Sequence, residues 1–144
     1  MRHYKKASYL IIIIGLLFAG CVKDNTLTTY TGPDLVEFAP TVTRIVTTTA
    51  TPKKDSILVQ LVGKQRSTPT NVTFSINSSS TAIAGTDYTI QSISPLVIQP
   101  NTSSVFLYLT ENKVISPKTL VLDLTGGDNV TPSENYRTFT FTLK

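Results

Sequence analysis

Thr138-Phe139-Thr140-Phe141-Thr142-Leu143 sets an apolar side chain at every second residue with a threonine between each pair. Successive side chains of a strand point to opposite faces, so this period of two reads as a strand with one buried face. The same reading extends backward along the chain. Leu120, Leu122 and Leu124 form one apolar row, interrupted by Val121 and Asp123. Val105, Leu107 and Leu109 face one way, with Phe106 and Tyr108 facing the other. Leu96 and Ile98 mark a further strand; Val72, Phe74 and Ile76 another; Ile57, Val59 and Leu61 another; Val36 and Phe38 the first. Thr41–Thr51 is a β-branched run bounded by Pro40 and Pro52, which suits an edge strand that switches sheets.

Between these runs lie turn-forming residues: Gly63–Pro69, Ser78–Gly85, Pro100-Asn101, Asn112–Pro117 and Gly126–Pro132. Beyond the first twenty residues no helical period lasts longer than two turns. The pattern predicts an all-β Greek-key β-sandwich of about seven to eight strands, with a small barrel as the alternative. Burial of each Leu, Val or Phe between the sheets is worth roughly 1.5–3 kcal/mol.

The N-terminus is of another kind. Arg2, Lys5 and Lys6 precede an apolar run from Tyr9 to Phe18, which ends at Leu17-Phe18-Ala19-Gly20-Cys21. A basic segment, an apolar segment and small residues at a cut site make a secretory signal. At about ten residues the run is half the ~20 that a spanning helix needs. The segment resembles a bacterial lipoprotein signal, departing from it at Phe18, where Leu, Val or Ile is commoner. The resemblance implies that residues 1–20 are removed and that Cys21 is lipidated, with a diacylglycerol thioether and an amide-linked chain such as palmitate. Two or more acyl chains hold a protein firmly to a bilayer. Val22-Lys23-Asp24-Asn25 partly resembles the surface-export signal of Bacteroidota lipoproteins, a lysine followed by acids. The expected location is therefore the outer membrane, with the cell surface favoured over the periplasmic face. Residues 21–33 read as a polar tether and 34–144 as the β-sandwich domain.

Three of the thirteen Lys/Arg residues lie in the signal, which leaves ten against nine Asp/Glu. A nearly neutral mature chain gives no electrostatic case for nucleic acid. The single histidine, His3, leaves with the signal, and the single cysteine is the acylated one. Ser-His-Asp and Cys-His catalysis, histidine-ligated metals and histidine bases are thus set aside in the mature chain, and no disulfide can form within it. No enzymatic activity and no cofactor are expected. An acid pair such as Asp128 and Glu134 is the only catalytic alternative read from the sequence.

Ala82-Ile83-Ala84-Gly85-Thr86-Asp87-Tyr88 resembles the Ala-x-x-Gly-x-Asp-Tyr signature of Calx-beta domains. The flanking strands arrive in that family's order from Asp34 to Lys144, and small Bacteroidota lipoproteins of this kind are the most similar overall. The resemblance implies an immunoglobulin-like sandwich. It also raises calcium binding as a distant alternative, with Asp87 as the weak metal candidate. Calcium takes six to eight oxygen ligands, and the family's acidic pair after the central strand falls near Thr110-Glu111-Asn112-Lys113, where one acid stands. The structural reading of the motif is that Gly85 adopts a conformation closed to other residues, Asp87 accepts backbone N–H bonds across its loop, and Tyr88 plugs the sandwich with its hydroxyl on a main-chain partner.

The expected role is a non-enzymatic binding or accessory module, partnered through the membrane by Cys21 and beyond it by an outer-membrane protein or a glycan. In the glycan alternative, an accessory of a polysaccharide uptake system, Tyr88, Tyr108 and Tyr136 offer rings to sugars, Tyr108 being the best placed. Asp55-Ser56-Ile57 resembles the Bacteroidota O-glycosylation motif, making Ser56 a weak modification candidate; the plainer reading is a turn at a strand start.

Overall fold

A computed structural model describes residues 30–144. The signal, Cys21 and most of the 21–33 tether lie outside the described residues. Every regular element among the described residues is a strand: β1 (Leu35–Ala39), β2 (Thr43–Val46), β3 (Lys53–Val62), β4 (Thr70–Ile76), β5 (Tyr88–Ile90), β6 (Leu96–Ile98), β7 (Ser104–Glu111), β8 (Lys118–Gly127), β9 (Thr131–Pro132) and β10 (Thr138–Leu143). They form two five-stranded sheets, one in the order β5-β7-β3-β1-β9 and the other in the order β2-β10-β8-β4-β6. Odd strands make the first sheet and even strands the second, so the chain changes sheet at every connection. No strand is hydrogen-bonded to its neighbour in sequence. Pairing is antiparallel except for β1 with β9 and β2 with β10.

The expected sandwich is the one observed, with ten strands rather than seven or eight. The extra elements are short: Tyr88–Ile90 follows the Gly85 turn, and Thr131–Pro132 lies inside a segment read as turn. The Thr41–Thr51 run does switch sheets and does form an edge, but only Thr43–Val46 is strand. Beyond it the Thr49 hydroxyl donates to the Thr51 carbonyl, turning the chain before β3.

Parity decides the core. Val36, Phe38, Ile57, Val59, Leu107 and Leu109 from the first sheet meet Val72, Leu120, Leu122, Phe139, Phe141 and Leu143 from the second, each with 0–1% of its surface exposed. Phe38 and Phe139 touch edge to face, ring centroids 5.6 Å apart at 71°. The alternation fails in one strand. Val72 is buried, Phe74 is half-buried and Ile76 is 46% exposed. The β4–β8 register shifts between Thr73 and Phe74, and β6 flanks β4 only over Thr70–Val72, leaving the rest of the row with less cover.

Two glycines are required for different reasons. Gly85 has φ +79° with nothing within 4 Å of a would-be Cβ, so only the backbone conformation demands it. At Gly127 an added Cβ would run into the Asn71 carbonyl oxygen on β4. Gly85→Ala should therefore cost about 1–2 kcal/mol, the penalty of a left-handed alanine, whereas Gly127→Ala should cost about 3 kcal/mol by forcing β8 and β4 apart. Urea unfolding of the two variants checks the order.

Candidate functional site

The outward face of the first sheet carries the side chains that alternate with the core. Register places Ser56 opposite Tyr108, Leu58 opposite Phe106 and Lys54 opposite Thr110 across β3 and β7. Phe106 and Tyr108 are 46% and 53% exposed, with ring centroids 6.0 Å apart and planes 39° from parallel. They project outward because Val105, Leu107 and Leu109 take the core parity. Beyond Ile90 the chain stays attached to β7: Gln91 and Ser92 donate backbone N–H groups to the Tyr108 carbonyl, and Ser92 Oγ accepts the Tyr108 N–H. This brings Gln91, Ser92, Lys54 and Tyr108 around one depression of about 290 Å³. The result is an aromatic ring bordered by an amide, a hydroxyl and an ammonium.

The other residues singled out in the sequence are dispersed. Tyr88 is a correction: with 2% of its surface exposed it presents no ring to solvent, because its position opposite Glu111 points it inward. It plugs the sandwich as the motif reading held, but its hydroxyl makes no hydrogen bond among the described residues. Burial and the nearby Asp87 push that hydroxyl above its ordinary pKa. Tyr136 is exposed on the connection into β10, beside β1 through the bond from Phe38 N–H to its carbonyl, and β3 separates it from Tyr108. Ser56 is not at a strand start but the fourth residue of β3, half-buried on the outward face. The Asp55 carboxylate accepts its N–H.

Asp87 is 6% exposed and its Oδ2 accepts the Ile83 N–H at 2.8 Å, closing the loop that carries Gly85. Asn112 donates its N–H to the Asp87 carbonyl. Asp128 Oδ2 accepts the Asn71 N–H, and Glu134 is exposed. Among the described residues no three His, Cys, Asp or Glu side chains are grouped to hold a metal ion.

Sequence reasoning missed a charged cluster at one end of the interior, although parity announces it. Asp55 continues the inward row of Ile57, Val59 and Leu61, and Glu111 continues that of Leu107 and Leu109. Arg44 on β2 crosses from the opposite sheet to pair with Asp55, its guanidinium 5.6 Å and 5.8 Å from the ring centroids of Phe139 and Phe141. Burial would push the Asp55 carboxyl up, but hydrogen bonds from Arg44 and Ser56 N–H outweigh it and hold the group below its ordinary range. Glu111 is 2% exposed, and neither oxygen has a hydrogen-bond donor among the described residues. Burial, with the negative Asp55 beside it, raises its pKa to about 7, offset only in part by Lys53 and Arg44. Glu111 thus keeps its proton to higher pH than an ordinary glutamate and can donate it in a hydrogen bond to Asp55.

No family model matches the chain, and a search of curated proteins finds no match. Solved structures do resemble it. The apo form of the Calx CBD1 domain aligns with a TM-score of 0.61 and 15% identity over 78% of this chain and 96% of that one. The Calx CBD2 domain gives 0.60 and 12% over 80% and 90%. The calcium binding domain CBD12 of CALX1.1 gives 0.51 and 15% over 75% and 43%. At these identities the likeness shows the fold, which is Calx-beta-like, as the Ala82–Tyr88 resemblance implied.

The Glu111 environment has a pH signature. Its folded pKa lies above the unfolded value near 4.5, so its proton stabilises the fold below that pH and the contribution disappears as pH rises toward 7. Asp55 works the other way, its contribution being lost only as pH falls through the acid range below 3.8. Thermal melts of the native chain should show the midpoint falling by several degrees between pH 5 and pH 8, and Glu111→Gln should flatten that slope.

Proposed function

We propose that the chain is a non-enzymatic binding module, held at the outer membrane by lipid on Cys21 and displayed at the cell surface, with the outward face of the first sheet as its contact surface. The observation that carries the binding role is the Phe106–Tyr108 pair. Two large rings stand in solvent on a strand whose Leu107 and Leu109, facing the other way, are fully buried, so burial does not explain them. The anchoring part rests on the basic–apolar–Ala19-Gly20-Cys21 sequence. A mature chain without histidine or free thiol supports a role in binding rather than catalysis.

A glycan is the second reading, favoured by what borders Tyr108. Sugars present an apolar face that stacks on a ring and hydroxyls that need hydrogen-bonding partners at its edge. Lys54, Gln91 and Ser92 supply such partners around one depression. Calcium binding has less support: Asp87 is engaged by its own loop, and the nearest acid pair, Asp55 and Glu111, is committed to Arg44 and to a retained proton.

Two experiments test these assignments separately. Cys21→Ser should move the protein from the membrane to the soluble fraction and abolish labelling by a fatty-acid analogue; continued membrane association with no lipid on Cys21 defeats the anchor. In affinity gels containing neutral and acidic polysaccharides, the protein should be retarded by at least one, and Tyr108→Ala should lose most of that retardation. If Tyr108→Ala and the native chain migrate alike in every gel, the glycan reading fails. The first sheet's face is then tested by pull-down of an outer-membrane partner with Phe106→Ala as the control.

A further inference from the structure

A second concavity forms where the outward-facing Asp123 and Thr138 of the second sheet approach Pro132 of the first. It lies among β8, the start of β10 and Pro132 of β9, and encloses about 570 Å³, within the range of small-molecule sites. Its lining is mixed, with Leu124 and Pro132 beside polar side chains, and carries one full charge of each sign, Asp123 and Arg137.

Both oxygens of Asp123 are held. Its Oδ2 accepts from Asn77 Nδ2 at 2.6 Å and its Oδ1 accepts from Thr138 Oγ1 at 2.6 Å. Asn77 is oriented in turn, its Oδ1 accepting the Ser79 N–H at 2.9 Å. The carboxylate is thus fixed by Asn77, one residue past β4, and by Thr138 at the start of β10, the two strands that flank β8, and both partners are neutral. No cation cancels its charge: the ion pairs among the described residues are Arg44–Asp55 and Arg66–Asp34. Arg137, one residue before Thr138, is exposed and makes no ion pair among the described residues.

We propose that this cleft binds a small zwitterion, an α-amino acid or a short peptide, with the ligand's ammonium on Asp123 and its carboxylate on Arg137. Complementarity excludes simpler ligands. An anion alone would meet Arg137 favourably but face the fixed Asp123 charge, and a cation alone would meet the reverse. A neutral ligand would strip water from both charges without replacing it by charge. A zwitterion answers each group with its opposite: the guanidinium fork matches a carboxylate in two parallel hydrogen bonds, and the carboxylate oxygens accept from an ammonium. The site is independent of the Tyr108 face, which lies on the other sheet, and of the lipid.

Calorimetric titration of the full chain in detergent micelles tests it, with glycine and triglycine as probes that separate a free amino acid from a peptide. Binding of either one, weakened about tenfold by acetylating its amine and again by amidating its carboxylate, is the expected result. Arg137→Gln, at an exposed position, should remove the preference for the free carboxylate while leaving the preference for the free amine. Asp123→Asn should do the converse, and its folding is checked by its melting curve. Absence of heat for both probes at millimolar concentration, equal affinity for free and blocked forms, or a preference for glucose or acetate over glycine would each overturn the proposal. So would an Arg137→Gln chain that discriminates among the probes as the native chain does.

Discussion

The edge-to-face contact of Phe38 with Phe139 joins the two sheets at the centre of the domain. No disulfide is available within a chain that has one cysteine, so the sheets are held by apolar burial and by the connections between them. Every connection crosses from one sheet to the other, and each strand therefore finds its hydrogen-bonding neighbours among residues distant in sequence. Such non-local pairing is rewarded only once loops are closed, which makes sheet formation and core formation one event rather than two.

That constraint accounts for the polar end of the interior. Where the apolar rows of β3 and β7 run out, Asp55 and Glu111 keep the inward parity of their strands. Arg44 comes from the other sheet to neutralise one of them, lying over Phe139 and Phe141 as it does so. Burial, with Asp55 beside it, outweighs the positive charges of Lys53 and Arg44, and Glu111 holds its proton to higher pH than an ordinary glutamate. The cluster ties the edge strand β2 to the opposite sheet, while Asp87 and Tyr88 close the same region through the Gly85 loop.

With the inner faces committed to each other, the outer faces are free to differ. The first presents rings, Phe106 and Tyr108, bordered by polar groups; the second presents a held carboxylate, Asp123, and an exposed guanidinium, Arg137, in a cleft of mixed lining. The sandwich thus displays two chemically distinct surfaces.

The sequence by itself determined eight of the ten strands and most of their facing. Strict alternation in Thr138–Leu143 and Val105–Leu109 sorted core from surface residue by residue, because a strand has a period of two whatever it pairs with, and Tyr108 was correctly turned outward by that rule alone. The Gly85-Thr86-Asp87-Tyr88 turn was legible because a positive φ and a loop-closing carboxylate are local requirements. Alternation also had limits: Ile76 obeys its parity and is still exposed, since what covers a face depends on which strands lie beside it. Tertiary structure alone decided which strand neighbours which, and so which side chains meet. Tyr88 was buried by its register against Glu111, Arg44 was brought to Asp55 from another sheet, and Asp123 and Thr138 of neighbouring strands were joined by Asn77 just past β4. These encounters are long-range, and no spacing along the chain encodes them.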